Sequence, residues 1–108
     1  MKSFKVVFTP RAERQLASIY RHIFDDNVEA RAERFVGRIV ADCMALATFP
    51  ERGTKRDGIR PGLRTKGFAG TVTIAFSIDE SRATVAIHGV FYGGRDFERT
   101  LRDAGSDD

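Results

Sequence analysis

The stretch Thr84-Val-Ala-Ile-His-Gly-Val-Phe-Tyr-Gly-Gly-Arg-Asp-Phe-Glu98 decides the fold. At a period of two, Val85, Ile87 and Phe91 share one side, while Ala86, His88, Val90 and Tyr92 share the other. Both sides carry apolar residues, so this strand belongs in the interior of a sheet, covered above and below. Just before it, Thr71-Val-Thr-Ile-Ala-Phe-Ser-Ile78 alternates strictly, placing Val72, Ile74, Phe76 and Ile78 on one buried face. Asp79-Glu-Ser-Arg82 supplies polar turn chemistry between the two, and the pair forms a hairpin that closes the fold. Gly93-Gly94 stops the last strand, and Arg95-Asp96 stands at its exit, where function is expected.

Working outward, Leu63-Arg-Thr-Lys-Gly-Phe68 is a short strand turned into the hairpin by Ala69-Gly70, with Arg64 and Lys66 on one face. Phe4, Val6 and Phe8 alternate in a first strand. Thr9-Pro10 then starts a helix, because threonine can cap and proline fits the first helical position. Ala12, Leu16, Ile19, Ile23 and Phe24 recur at helical spacing until Asp25-Asp26-Asn27 breaks the pattern. A second helix from about Val28 carries the stripe Ala32, Phe35, Val36, Ile39, Val40, Cys43, Met44 and Leu46, and stops at Phe49-Pro50. So short a connection makes the helices antiparallel neighbours. Glu51 to Pro61 is a loop rich in Gly, Arg and Asp. After Asp96, which can cap, Phe97 and Leu101 predict a last helical turn docked on the core. Pro61-Gly62 and Gly93-Gly94 serve as backbone devices, one at a strand entry and one at a strand exit. The expected fold class is α+β, in the order β-α-α-β-β-β with a short C-terminal helical turn. A two-helix hairpin packs on one face of a small, mainly antiparallel, twisted sheet. Residues 1–102 form a single domain, and 103–108 form an acidic tail expected to lack order.

A chain of 108 residues suffices for one core but not two. No apolar run approaches the roughly 20 residues of a membrane helix, and because the N-terminus goes straight into strand-like sequence no signal peptide is expected. Cys43 stands alone on a helical apolar stripe, so it is a buried structural thiol, and the chain suits a reducing cytoplasm. The net charge is +3, but Arg52, Lys55, Arg56, Arg60, Arg64 and Lys66 face only Asp57 within their own stretch. Fourteen of the eighteen basic residues are Arg, whose planar fork suits carboxylate or phosphate. The surface therefore fits an anionic partner, either nucleic acid or an acidic peptide; the alternative is a solvated face that aids solubility.

Phosphate loops, Cys/His metal spacing and nucleophile elbows are absent from the sequence, so neither a metal nor a cofactor is expected. His22, beside Ile23 at a helix edge, is expected to be plain surface. His88, counted on one face with Tyr92, could lie near Arg64 and Lys66. Arg64, Lys66, His88 and Tyr92 around a basic groove could cleave RNA by general acid–base catalysis, the cations stabilising phosphorane charge. The plainer reading of His88 is a sheet residue with one satisfied hydrogen bond.

Phe8-Thr-Pro-Arg-Ala-Glu13 with Leu16 and Ile19-Tyr20, Phe49-Pro-Glu-Arg-Gly53, Arg60-Pro-Gly-Leu-Arg64 and Val90-Phe-Tyr-Gly-Gly-Arg-Asp96 follow one another along the chain. Together they resemble the RelE/ParE superfamily of bacterial toxins, and the ParE branch above all. The resemblance runs from about Phe4 to Leu101. It implies a small toxin, encoded beside an antitoxin whose C-terminal segment wraps it, in a higher-order hetero-oligomer. ParE toxins inhibit DNA gyrase by trapping its cleaved-DNA complex, whereas RelE toxins cut mRNA on the ribosome. The strand exit is similar to a ParE pattern ending in Gly-Arg-Arg-Asp, with Gly94 here replacing the first arginine and Arg95 the one charge carried over.

The resemblance thus implies a gyrase inhibitor rather than an enzyme. Arg60, Arg64 and Arg95 are its candidate target contacts, and Tyr20, Phe24 and Arg64 its candidate antitoxin contacts. Two alternatives stand beside it: a ribosome-dependent mRNA endonuclease using Arg64, Lys66, His88 and Tyr92, and an antitoxin-binding member without toxicity.

Overall fold

The computed structural model describes residues 3–24, 29–93 and 97–103, and for Phe24, Glu29 and Asp103 the backbone alone. Its elements are β1 (Lys5–Phe8), α1 (Pro10–Phe24), α2 (Glu29–Met44), β2 (Thr54–Lys55), β3 (Leu63–Phe68), β4 (Val72–Asp79), β5 (Thr84–Tyr92) and α3 (Phe97–Asp103). They build one sheet in the order β1-β5-β4-β3-β2. β1 runs parallel to β5, and every other pairing is antiparallel.

Thr9 joins the sheet to the helical layer. Its backbone N–H donates to the Ile87 carbonyl at 3.1 Å, extending the β1–β5 ladder by one residue. Its hydroxyl oxygen accepts the Ala12 N–H at 3.2 Å, and its carbonyl accepts that of Glu13 at 3.0 Å. This is the expected cap, satisfying donors that the first helical turn would otherwise leave bare.

The helical hairpin covers one face of the sheet. Ala12, Ile19 and Ile23 of α1 and Ala32, Ile39 and Cys43 of α2 pack on Val72, Ile74 and Phe76 of β4 and Val85, Ile87 and Val90 of β5. Burying each of the larger side chains contributes about 1.5–3 kcal/mol, so this layer supplies most of the stability. The opposite face holds a smaller cluster of Leu63, Ala75, Phe91 and Leu101, with Ile59 and Phe97 packed against it. The last helix therefore docks as expected, with Leu101 fully buried, but on the side away from the hairpin.

Those two clusters expose an irregularity that a count by twos misses. Ala75 pairs with Gly89 and the next β4 residue, Phe76, pairs with Ile87, so His88 is an extra residue in β5. This β-bulge changes which residues share a face. Val85 and Ile87 before it, and Val90 and Tyr92 after it, all meet the helices, while Phe91 moves to the other face.

Two further differences from the sequence reading are local. A two-residue edge strand, β2, lies where the sequence reads as loop, since Thr54-Lys55 has no apolar alternation to announce it. Met44, counted on the apolar stripe of α2, is exposed. Ile39, Cys43 and Leu46 define the buried line, and Met44 stands about 100° of helical rotation from Cys43. The backbone devices show positive φ at Gly62 (82°) and Gly93 (73°). The expectations for Asp25-Asp26-Asn27, Gly94, the Asp96 cap and the tail from Ala104 lie outside the described residues.

Candidate functional site

The four residues that could serve a nuclease are not gathered in one place. Lys66 Nζ lies 2.5 Å from Asp42 Oδ2 of α2, an ion pair with both side chains mostly covered. The ammonium thus ties β3 to the helical layer. Arg64 Nη1 donates to the Arg52 carbonyl at 3.2 Å, and Nη2 lies 4.0 Å from Glu51, with only 14% of the side chain exposed. His88 sits on the opposite face, its Nε2 2.7 Å from Ser77 Oγ. Tyr92 packs on the helix side, at the far end of the sheet from Arg64. Arg64 pairs with Phe76, while Tyr92 pairs with Val72, four residues and roughly 13 Å away along β4.

Other candidates fare differently. Arg60 is half-buried in the turn before β3, where its carbonyl accepts the Leu63 N–H at 3.1 Å. Arg60 and Arg64 thus share the β3 entry end, remote from Gly93 at the β5 exit. Tyr20 is half-buried against the main core. The Phe24 side chain and Arg95 lie outside the described residues. Burial pushes the Cys43 thiol from its ordinary 9.0 up to about 12, with Asp42 adding to the rise and Lys66 opposing it. Such a thiol is no nucleophile near neutral pH, in keeping with a structural role.

Around Tyr92 the structure assembles a group that sequence reasoning missed. The His22 ring lies 5.5 Å from the Tyr92 ring, and Phe35 meets Tyr92 edge-on at 6.1 Å and Phe68 at 5.9 Å. His22 is exposed yet sits on a phenol, rather than being plain surface. The signal was present: Gln15, Ser18 and His22 recur at helical spacing beside Ile19. That stripe faces the β5 edge beyond the end of β1, where the Val90 N–H donates to Gln15 Oε1 at 2.7 Å. Gln15, Ser18, Ile19 and His22 on one side, with Val90 to Gly93 on the other, border an open groove of about 260 Å³. On its other side Tyr92 borders a second concavity with Arg31, Phe35, Ala69 and Thr71.

A second cluster lies at the opposite end of the sheet. Phe49 is 54% exposed, and the Arg52 guanidinium carbon stands 5.2 Å from its ring centroid. Gly53, with φ at 78°, lets this loop lie against β3, since a Cβ there would come within 2.3 Å of the Thr65 carbonyl oxygen. Arg56 Nε donates to Thr65 Oγ1 at 2.9 Å, and its guanidinium lies over the Phe97 ring. No group of acidic, His or Cys side chains that could hold a metal ion occurs among the described residues.

Residues 6–97 match the family model for the ParE toxin of the type II toxin–antitoxin system parDE. The chain belongs to the ParE toxin family. No curated protein matches the sequence. Among the solved structures that share this chain's fold are two of toxin–antitoxin systems. One is the chromosomal ParDE toxin–antitoxin system from P. aeruginosa, with a TM-score of 0.72 and 20% identity over 86% of this chain and 99% of that one. The other is the RelBE2 toxin–antitoxin complex from Mycobacterium tuberculosis, with a TM-score of 0.61 and 21% identity over 83% and 98%. As a ParE-family member, the chain is the toxin component of a type II toxin–antitoxin system. No helix is long and apolar enough to cross a membrane among the described residues.

Proposed function

We propose that this toxin binds DNA gyrase in the cytoplasm, traps its cleaved-DNA complex, and is neutralised by a cognate antitoxin. The observation that carries a binding mode over a catalytic one is the scatter of the acid–base side chains. Lys66 is held by Asp42, Arg64 holds the Arg52 carbonyl, and His88 lies on the opposite face from Tyr92. General acid–base cleavage needs its groups within hydrogen-bond reach of one phosphate, and these four are not so placed. ParE-family membership supports gyrase as the target.

The antitoxin's C-terminal segment wraps the helical hairpin and continues along the sheet edge to the β3 entry, where Arg64 lies. Tyr20, Phe24 and Arg64 are its contacts in this reading, while Arg60, Arg64 and Arg95 meet the target. An amphipathic acidic segment should bind at nanomolar affinity or tighter, roughly −12 kcal/mol, within a toxin–antitoxin hetero-oligomer. Titration calorimetry against the product of the neighbouring gene tests this, and no tight binding would sink it.

The target is tested with purified chain, gyrase and supercoiled plasmid. The expected result is linear DNA accumulating only when all three are present, with no new cuts in ribosome-bound mRNA toeprints. Fresh toeprint stops without plasmid cleavage would replace this reading with the endonuclease one.

A further inference from the structure

The exposed Phe49 ring with Arg52 over it has no role in the core, and its surroundings describe a ligand. Pro50, the next residue, is buried, so the loop is anchored while the ring projects. Three contacts fix its geometry: the Phe49 N–H donates to the Ala45 carbonyl at 3.3 Å, Arg64 holds the Arg52 carbonyl, and Gly53 packs on Thr65. From Phe49 to Lys66 there are six basic side chains against Glu51 and Asp57. Asp57 turns its carboxylate to the Gly62 N–H at 2.8 Å, and Glu51 stands 4.0 Å from Arg64. Arg52 and Lys55 are both exposed on this positive surface.

We propose that the Phe49–Arg52 shelf is a contact for single-stranded nucleic acid, with one base stacked on the Phe49 ring and phosphates met by Arg52 and Lys55. The anchored loop has little backbone freedom to lose when a base covers the ring, and stacking on an aromatic side chain serves any base. The flat guanidinium beside it suits phosphate and stacking alike. The same charge would attract an acidic peptide, but an amphipathic helix needs several apolar anchors along a groove. Within the Phe49–Arg52 segment Phe49 is the one large exposed apolar side chain, too little for such a helix at this shelf but enough for one base. This contact goes beyond the reading of the target and does not depend on gyrase.

The test measures fluorescence anisotropy of a short fluorescein-labelled oligothymidylate with the full chain, across a salt series. Phe49→Ala should weaken binding about tenfold, while Phe49→Tyr, which keeps the ring, should stay within about twofold. Arg52→Gln should reduce the slope of log affinity against log salt by about 0.7. Arg82→Gln, which removes a largely exposed charge from the β4–β5 turn, should leave the affinity within about twofold of the parent. Circular dichroism confirms that each variant is folded. The proposal is overturned if the parent does not bind, if Phe49→Ala binds like the parent, or if Arg82→Gln loses as much as Arg52→Gln. It is equally overturned if polyglutamate of matched charge competes as well as the oligonucleotide, which would make the partner an acidic protein.

Discussion

The imidazole Nε2 of His88 lies 2.7 Å from Ser77 Oγ, on the side of the sheet turned away from Tyr92. The two residues are four apart in one strand, and an unbroken strand would put them on the same face. The bulge at His88 separates them. That relationship removes the acid–base pair that a strand count would assemble, and it makes distinct outcomes for substitutions at the two positions.

Tyr92→Phe keeps the ring that packs on His22 and Phe35 and removes one oxygen. In a protein that acts by binding, growth inhibition should stay close to that of the parent. His88→Ala should also retain it, at a stability cost of about 1–2 kcal/mol for the lost Ser77 bond. Induced expression in cells, with denaturant melts of the purified variants, checks both. A folded, antitoxin-binding Tyr92→Phe that no longer inhibits growth would favour the nuclease.

Gln15 supplies the acceptor for the Val90 N–H where β1 no longer borders β5. Gln15→Ala leaves that part-buried donor without the carbonyl oxygen and should destabilise the fold by about 1–3 kcal/mol. Amide exchange at Val90 should accelerate in the variant. Unchanged exchange would mean that the side chain does not hold the strand edge.

Lys66 and Asp42 join β3 to α2. Because the pair is only partly exposed, removing either partner should cost about 1–3 kcal/mol, between the values for surface and buried pairs. The double variant should lose less than the sum of the two singles, since each single strands the other charge. Additive losses from urea melts would deny the coupling.

Cys43 titrates near 9.0 when unfolded and is pushed to about 12 in the fold. Below pH 9 both states keep the proton, so the thiol's contribution is fully present there. As pH rises from 9 towards 12 the unfolded chain alone gives the proton up, and stability falls by up to about 1.4 kcal/mol per pH unit. Other groups titrate in this window, so the measurement is the difference between the parent and Cys43→Ala. The parent should lose stability more steeply with rising pH, and parallel curves would contradict the buried thiol.

Arg64→Glu places a carboxylate beside Glu51 and removes the donor to the Arg52 carbonyl. The variant should lose thermal stability along with any effect on growth inhibition, so its loss of activity would not by itself identify a target contact. Arg52→Gln spares that backbone bond, and its melting temperature should match the parent's. A destabilised Arg52→Gln would show that the loop depends on the guanidinium over Phe49.

Much of the molecule was legible in short-range chemistry. The Thr9-Pro10 cap, the two amphipathic helices, the strict alternation of Val72 to Ile78 and the Phe97–Leu101 spacing each depend on neighbours within a turn or a strand. The motif order that carries the ParE likeness is likewise a property of the linear chain. His22 was readable in part, since Gln15, Ser18 and His22 line one helical stripe, but nothing local said that Tyr92 would cover it.

The chain's own order of residues determined which of the longer segments become helix or strand, because propensity, capping and periodicity act over a few residues, whereas the two-residue β2 exists only through its pairing with β3. Only the tertiary structure decided which side chains meet. His88 is extra because Ala75 pairs with Gly89 while Phe76 pairs with Ile87, and Val90 is held by Gln15, 75 positions away. Face parity in a strand is set by its hydrogen-bond register with its neighbours, and one inserted residue reverses it for everything beyond. Lys66 meets Asp42 across 24 positions for the same kind of reason: packing brings helix and strand together, and no local pattern encodes that distance.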